Sequence, residues 1–157
     1  MSALKLNFDN GIREFEVTGG AVLRFNPGDP NVMARFMDAI EKLKQIETEF
    51  VAKAEALKGT TEENPTTGEQ VKEMLCEYDC KIKQTLAWIF GESNDFDAIF
   101  GGQNVLAVGG NGERLVTNFV AALIPIIQEG AQSIVSQQVN TAVGTAKQNR
   151  AQRRAKK

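Results

Sequence analysis

Residues 24–57, R-F-N-P-G-D-P-N-V-M-A-R-F-M-D-A-I-E-K-L-K-Q-I-E-T-E-F-V-A-K-A-E-A-L, contain the end of a strand, a stiff turn and a long amphipathic helix. Asp29 is placed to cap the helix, and Pro30 suits the first helical position because no N–H is needed there. Gly59 is placed to end the helix. The pattern predicts a helix about 28 residues and about 42 Å long.

One face of this helix is apolar. Its apolar side chains recur three or four positions apart, at Met33, Phe36, Ile40, Leu43, Phe50, Ala54 and Leu57. Charged residues of both signs lie between these positions. Because so long a helix extends past a small core, we expect it to pack on a later helix or to form a seam with another subunit or a partner.

The residues before this helix have the pattern of a small antiparallel sheet. Apolar and polar side chains alternate in residues 4–8 and, with one break, in residues 12–17. Asp9-Asn10-Gly11 between them suits a tight hairpin turn because Asn and Gly tolerate positive φ. With a further strand in residues 21–25, the sequence predicts a three-stranded meander.

The rest of the chain has the patterns of further helices. A polar loop at residues 60–68 precedes a second helix at residues 69–90, and a short helix containing Phe96 and Ile99 follows. Residues 115–127 are apolar nearly all round, which is typical of a core or interface helix. Residues 130–146 indicate a weak helix or a partly ordered segment.

The predicted fold class is therefore α+β. Residues 1–146 are expected to form one domain, in which the meander (residues 1–26) packs on a mainly helical body (residues 30–146). Residues 147–157 form a basic tail that we expect to be poorly ordered.

The composition disfavours enzymatic function. The chain contains no histidine, which removes Ser-His-Asp and Cys-His nucleophiles and the common zinc motifs. No carboxylate pair stands out, and Cys76 and Cys80 are predicted to be buried thiols rather than metal ligands. We expect a protein without catalytic residues, metal or cofactor.

Two further features have ordinary explanations. Gly109-Gly110-Asn111-Gly112 lacks the Lys-Ser/Thr of a phosphate loop and is predicted to be a loop before a helix. The longest apolar run, residues 115–127, is shorter than the roughly 20 residues that span a membrane. We therefore expect neither a phosphate site nor a membrane segment.

The charge is unevenly distributed. The chain carries a formal net charge of −2 and its last eleven residues contribute +6, so the preceding residues carry −8. The basic tail contains no aromatic residue on which a base could stack. We expect it to be a solvated end or a contact for an acidic partner, and nucleic-acid binding is the less favoured alternative.

Several segments together resemble the tail assembly chaperones of tailed phages and prophages of Gram-positive bacteria. The resemblance rests on the N-terminal strand pair, on R-F-N-P-G-D-P-N at residues 24–31 before the long helix, on I-F-G at residues 89–91, on A-I-F-G-G at residues 98–102, and on N-R-A-Q-R-R-A-K-K at residues 149–157. These motifs are structural rather than catalytic.

The resemblance implies a non-enzymatic, oligomeric protein in the host bacterial cytoplasm. Such a protein would bind the tape measure protein, help to recruit tail tube subunits and be absent from the mature virion. The hypothetical partner-binding residues are Met33, Phe36, Ile40, Leu43, Phe50, Leu115 and Phe119. The alternatives are a structural tail or connector component of the virion and, less favoured, a nucleic-acid-binding accessory protein that uses the basic tail.

Overall fold

The computed structural model describes residues 2–57 and 66–155 and has the predicted α+β architecture. A two-stranded antiparallel sheet precedes a mostly helical body. The strands are β1 (Arg13–Glu16) and β2 (Val22–Phe25), and the helices are α1 (Pro30–Leu57), α2 (Thr66–Phe90), α3 (Phe96–Ile99) and α4 (Leu115–Ala155). Gly59 and residues 60–65 of the predicted loop lie outside the described residues, and residues 66–68 belong to α2.

Helix α1 begins where the sequence predicts. The N–H of Asn31 donates to the Asp29 carboxylate at 2.9 Å, which satisfies an N–H that has no partner within the helix. Before it, the N–H of Gly28 donates to Oδ1 of Asn26 at 2.8 Å and closes the turn. The direction in which α1 leaves the sheet is therefore set by side chains within six residues of one another.

The predicted strand at residues 4–8 is not part of the described sheet, which has two strands, so the prediction of a three-stranded meander is wrong. The side chains of Leu4, Leu6 and Phe8 are 97, 84 and 75% exposed. A hairpin would need the N–H of Ile12 for the first strand, but that group donates to Oδ1 of Asn10 at 3.1 Å. Local side-chain bonding has replaced the expected ladder.

The core lies where the sheet, α1, α2, α3 and the first half of α4 meet. Its buried side chains are Leu23, Phe25, Val32, Phe36, Ala39, Ile82, Leu86, Ile89, Phe90, Phe96, Ile99, Phe100, Val105, Leu123 and Ile127. Helix α1 packs extensively along α2 and contacts α4 much less. Helix α4 contacts α2 less still, and it is held on the body by core side chains such as Leu123 and Ile127.

Buried Asn94 joins the sheet to the helical body. Its Oδ1 accepts from the N–H of Arg24 at 2.8 Å, and its Nδ2 donates to the C=O of Arg24 at 2.9 Å. The same amide donates to the C=O of Phe90 at the end of α2. The outer edge of β2 is therefore satisfied by a side chain instead of by another strand.

Helix α4 is longer than predicted. The segment at residues 130–146 and residues 147–155 of the tail all belong to it, so the expectation of poor order is wrong for residues 147–155. The hydroxyls of Ser133, Thr141 and Thr145 donate to carbonyls one turn back, and Arg153 and Arg154 in the last turn suit the helix dipole. Lys156 and Lys157 lie outside the described residues.

Gly130 fixes the point where α4 crosses the body. A Cβ at this position would collide with the backbone carbonyl of Pro27. Beyond the crossing, every side chain from residue 135 to residue 155 is exposed. We call residues 135–155 the α4 arm.

By length and composition alone, α4 could cross a membrane. Its most apolar 18-residue window has a mean hydropathy of 1.4, and 17% of that window is buried. Helices of soluble proteins meet the same two criteria, so this observation assigns no location.

Replacing Gly130 by alanine should loosen the crossing, whereas replacing Gly144 should not. Gly130→Ala must separate α4 from Pro27 and is expected to lower the free energy of unfolding by about 1–3 kcal/mol. Gly144→Ala has nothing within 4 Å of the new Cβ, and it should raise helix content because alanine is favoured over glycine by about 1 kcal/mol. Urea denaturation followed by circular dichroism measures both effects. Equal free energies of unfolding for the two variants would contradict the close contact of α4 with Pro27 at Gly130.

Candidate functional site

An open apolar groove lies between α1 and the first half of α4, with α2 as its floor. Its volume is about 330 Å³. Its lining side chains are Ile40, Leu43, Lys44, Ile46, Glu47, Phe50, Tyr78, Ile82, Leu106, Arg114, Val116, Thr117, Val120, Ala121 and Ile124. We call this surface the α1–α4 groove. Tyr78 and Ile82 of α2, together with Leu106, complete its lining between these two helices.

Three of the predicted partner-binding residues lie together in this groove. Ile40, Leu43 and Phe50 are half-buried and form its α1 wall. They belong to the part of the apolar stripe that extends beyond Ala39, the last α1 residue in the buried core. This half of the stripe has the open apolar surface that a partner-binding face requires.

The other four predicted residues pack against the core and do not line the groove. Phe36 is 4% exposed and lies within the core. Met33, Leu115 and Phe119 are partly buried against it, and the ring of Phe119 lies 5.1 Å from that of Phe100. Phe36 therefore has no surface left for a partner, whereas Met33, Leu115 and Phe119 keep an intermediate exposure outside the groove.

The α4 wall of the groove was missed among the individually predicted residues. It consists of Val116, Val120, Ala121 and Ile124, whereas the prediction named Leu115 and Phe119 from the same helix. The sequence marks residues 115–127 as apolar nearly all round, which does not distinguish one face from another. Only the packing of α4 on the body decides which face lines the groove.

Charged side chains lie along the rim of the groove. Nη1 of Arg114 lies 3.0 Å from the Glu47 carboxylate, and the Arg114 guanidinium lies 5.3 Å from the centre of the Phe50 ring. Lys44 is exposed on the same rim. The rim thus carries both signs of charge around apolar walls. Arg114, the residue before α4, is joined to α1 through Glu47.

Tyr78 contributes a buried aromatic side chain to the α2 floor of the groove. Its side chain is fully buried, with its ring edge-on to Phe50 at 5.2 Å. Its hydroxyl has no hydrogen-bond partner among residues 2–57 and 66–155. A buried hydroxyl without a partner is costly to stability.

Lys83 anchors the loop that contributes Leu106 to the groove. Its ammonium lies 2.8 Å from Asp79 and 2.7 Å from Asp97. Asp79 also accepts from the N–H of Val105 at 2.8 Å, next to groove residue Leu106. Burial of the ammonium acts to lower its pKa, but the two carboxylate hydrogen bonds outweigh burial, so the pKa of Lys83 is raised above its ordinary 10.5.

Lys83→Met should destabilise the protein at neutral pH. Losing charge-assisted hydrogen bonds at a side chain that is 13% exposed should lower the free energy of unfolding by about 1–3 kcal/mol. Because the pKa is raised in the folded state, the stabilisation is complete below pH 10.5 and is lost as the pH rises through the folded pKa. The difference from wild type, measured by urea denaturation, should shrink above pH 10.5. A difference that stays constant would contradict this role.

The remaining sequence candidates are the glycine-rich loop at residues 109–112 and the two cysteines. In the predicted loop before α4, the N–H groups of Gly109 and Gly112 donate to carbonyls of the same loop, at 2.8 and 3.0 Å, and are not presented to a phosphate. Cys76 and Cys80 are exposed free thiols, so the prediction that they are buried is wrong. No cluster of three potential metal ligands occurs within the described ranges.

Comparisons of the chain with protein families, with curated proteins and with solved structures found no match. The candidate site is therefore defined by its own geometry, and the resemblance to tail assembly chaperones remains a hypothesis from the sequence.

Proposed function

We propose that the protein is a non-enzymatic tail assembly chaperone of a tailed phage or prophage, and that the α1–α4 groove binds an amphipathic helix of the tape measure protein. The observation that carries the proposal is the groove itself. It is open, and its two long walls are lined mainly by aliphatic and aromatic side chains. Its α1 wall contains Ile40, Leu43 and Phe50 of the stripe predicted to meet a partner.

The shape of the groove suits a helix. Its walls are two helices, so an incoming helix can place side chains spaced three and four apart between them. Full burial of each large apolar side chain contributes about 1.5–3 kcal/mol, and the volume of about 330 Å³ has room for only a few such side chains. Each contact is therefore modest in strength.

Modest contacts fit a client that is long and repetitive. Several chaperone copies that each bind one helical segment would cover such a chain, and every copy could dissociate when the tail assembles. The aliphatic lining imposes few directional requirements, so segments of different sequence would be accepted. Recruitment of tail tube subunits, and action in the host cytoplasm, complete this proposal.

A charged residue in the α4 wall should abolish client binding. Ile124 is 38% exposed and lines the groove, so Ile124→Glu should leave folding almost unchanged while placing an unpaired carboxylate against the bound helix. We expect affinity for the tape measure product of the same gene cluster to fall about tenfold or more. Co-expression, affinity capture and size-exclusion chromatography with light scattering measure the complex.

Val51→Glu is the matched control for this experiment. Val51 is an exposed aliphatic residue of α1, at 43%, and does not line the groove. It should retain the complex. Loss of the complex in both variants would contradict the groove as the client-binding surface. If the wild-type chain elutes alone while the client stays insoluble, the chaperone proposal fails and a virion tail component becomes the better hypothesis.

A further inference from the structure

The exposed N-terminal segment has the form of a strand without a sheet. Residues 4–8 alternate Leu-Lys-Leu-Asn-Phe, and in an extended chain this places the three apolar side chains on one face. Those side chains are the three most exposed large apolar groups among the described residues. An apolar strand face left in water is a candidate for pairing with another chain.

The outer edge of β1 is open to receive a strand. Glu14 lies opposite Arg24, whose N–H and C=O bond to Asn94 and thus face away from β1. Two residues that lie directly opposite in an antiparallel pair either both bond to each other through their N–H and C=O or both point these groups outward. The N–H and C=O of Glu14 therefore face away from β2. Because the direction alternates along a strand, the N–H and C=O of Glu16 also face away from β2. Neither residue has a backbone hydrogen bond from outside the hairpin within residues 2–57 and 66–155.

Space for apolar side chains lies beside this open edge. A cavity of about 340 Å³ is bounded by the end of β1, by the turn around Pro27 and by α4. Phe15, Ile12 and Ile126 contribute apolar surface to it. A strand added to β1 would direct one row of its side chains toward this cavity and the other row toward solvent.

One antiparallel register matches residues 4–7 to β1 in hydrogen bonding and polarity, and it places Phe8 opposite Arg13. It places Asn7 opposite Glu14 and Lys5 opposite Glu16, so the open backbone groups of both glutamates are paired. On the outer face, Lys5 lies opposite Glu16, whereas Glu14 already pairs with Arg24 at 2.7 Å. On the inner face, Leu6 lies opposite Phe15 and Leu4 lies opposite Val17, where apolar cross-strand pairs stabilise a sheet.

The same chain does not complete this sheet itself. The hairpin would require the N–H of Ile12, which is held by Asn10, and the N–H of Gly11 donates to Asp9 at 2.9 Å. The C=O of Asn10 accepts from Nδ2 of Asn26 at 3.1 Å, which fixes the turn from the other side. Residues 4–8 are accordingly not paired with their own β1.

We propose that residues 4–8 of one copy add as a third strand to the open edge of β1 in a second copy. Each chain carries both the donor strand and the acceptor edge, so the contact associates identical subunits without any other partner. The inference is independent of the client proposed for the α1–α4 groove.

Disulfide trapping between different chains tests the pairing directly. Asn7 and Glu14 would form a hydrogen-bonded pair with Cα atoms about 5.5 Å apart, within the range that a disulfide spans. One tagged chain carries Asn7→Cys and one untagged chain carries Glu14→Cys, both with Cys76→Ser and Cys80→Ser. The two are co-expressed, purified through the tag, oxidised and examined on a non-reducing gel.

A tagged–untagged cross-linked dimer is the expected result. Lys72→Cys, on the exposed surface of α2, replaces Glu14→Cys in the control and should give a background level of cross-linking. Cross-linking no greater than this control would overturn the proposal. A chain that carries both Asn7→Cys and Glu14→Cys and links only within itself would also overturn it, because the strand would then close on its own sheet.

Charge reversal tests the register without cysteines. Lys5→Glu places like charges opposite Glu16 and should weaken self-association roughly fivefold for each exchanged strand, as measured by light scattering over a range of concentrations. Adding Glu16→Lys restores opposite charges and should recover the wild-type value. If Lys5→Glu has no effect, or if the double variant associates no better than the single one, the proposed register is wrong.

Discussion

The close approach of α4 to the backbone of Pro27 at Gly130 is the constraint on which the functional surfaces depend. Only a residue without a side chain allows the helix to touch the turn that starts α1. This contact ties the longest helix to the segment with the strongest local signals. Before the crossing, α4 lies over the core and forms a groove wall. After it, the helix leaves the body as the exposed α4 arm.

The same constraint divides the apolar stripe of α1 into two parts with different roles. Near its N-terminus, where α4 crosses, Phe36 is enclosed by the core. Farther along, Ile40, Leu43 and Phe50 of α1 and the first half of α4 line an open groove. One continuous pattern in the sequence thus supplies folding energy at one end and a binding surface at the other. The charged rim formed by Arg114 and Glu47 marks the open part.

The elements that local signals specify could be predicted from the sequence, and those that depend on competing or distant contacts could not. Asp29 and Pro30 define the start of α1 within a few residues, and the structure confirms that helix from Pro30 to Leu57. The hairpin predicted around residues 9–11 does not form because the N–H groups of Gly11 and Ile12 donate to the Asp9 and Asn10 side chains instead of to a strand. The order of the tail was underestimated because it has no apolar face to pack, although Ala, Gln, Lys and Arg favour a helix and the tail continues an anchored one. The groove could be predicted only in part, since its α4 wall depends on the crossing at Gly130.

The central claim is that the α1–α4 groove is the client-binding surface, and amide hydrogen exchange tests it most directly. Exchange would be compared for the free chain and for the chain purified with its tape measure client. The account predicts slower exchange on binding in residues 40–50 of α1 and in residues 116–124 of α4. Unchanged exchange in both segments, with protection confined to the α4 arm or to the exposed face of α2, would contradict it.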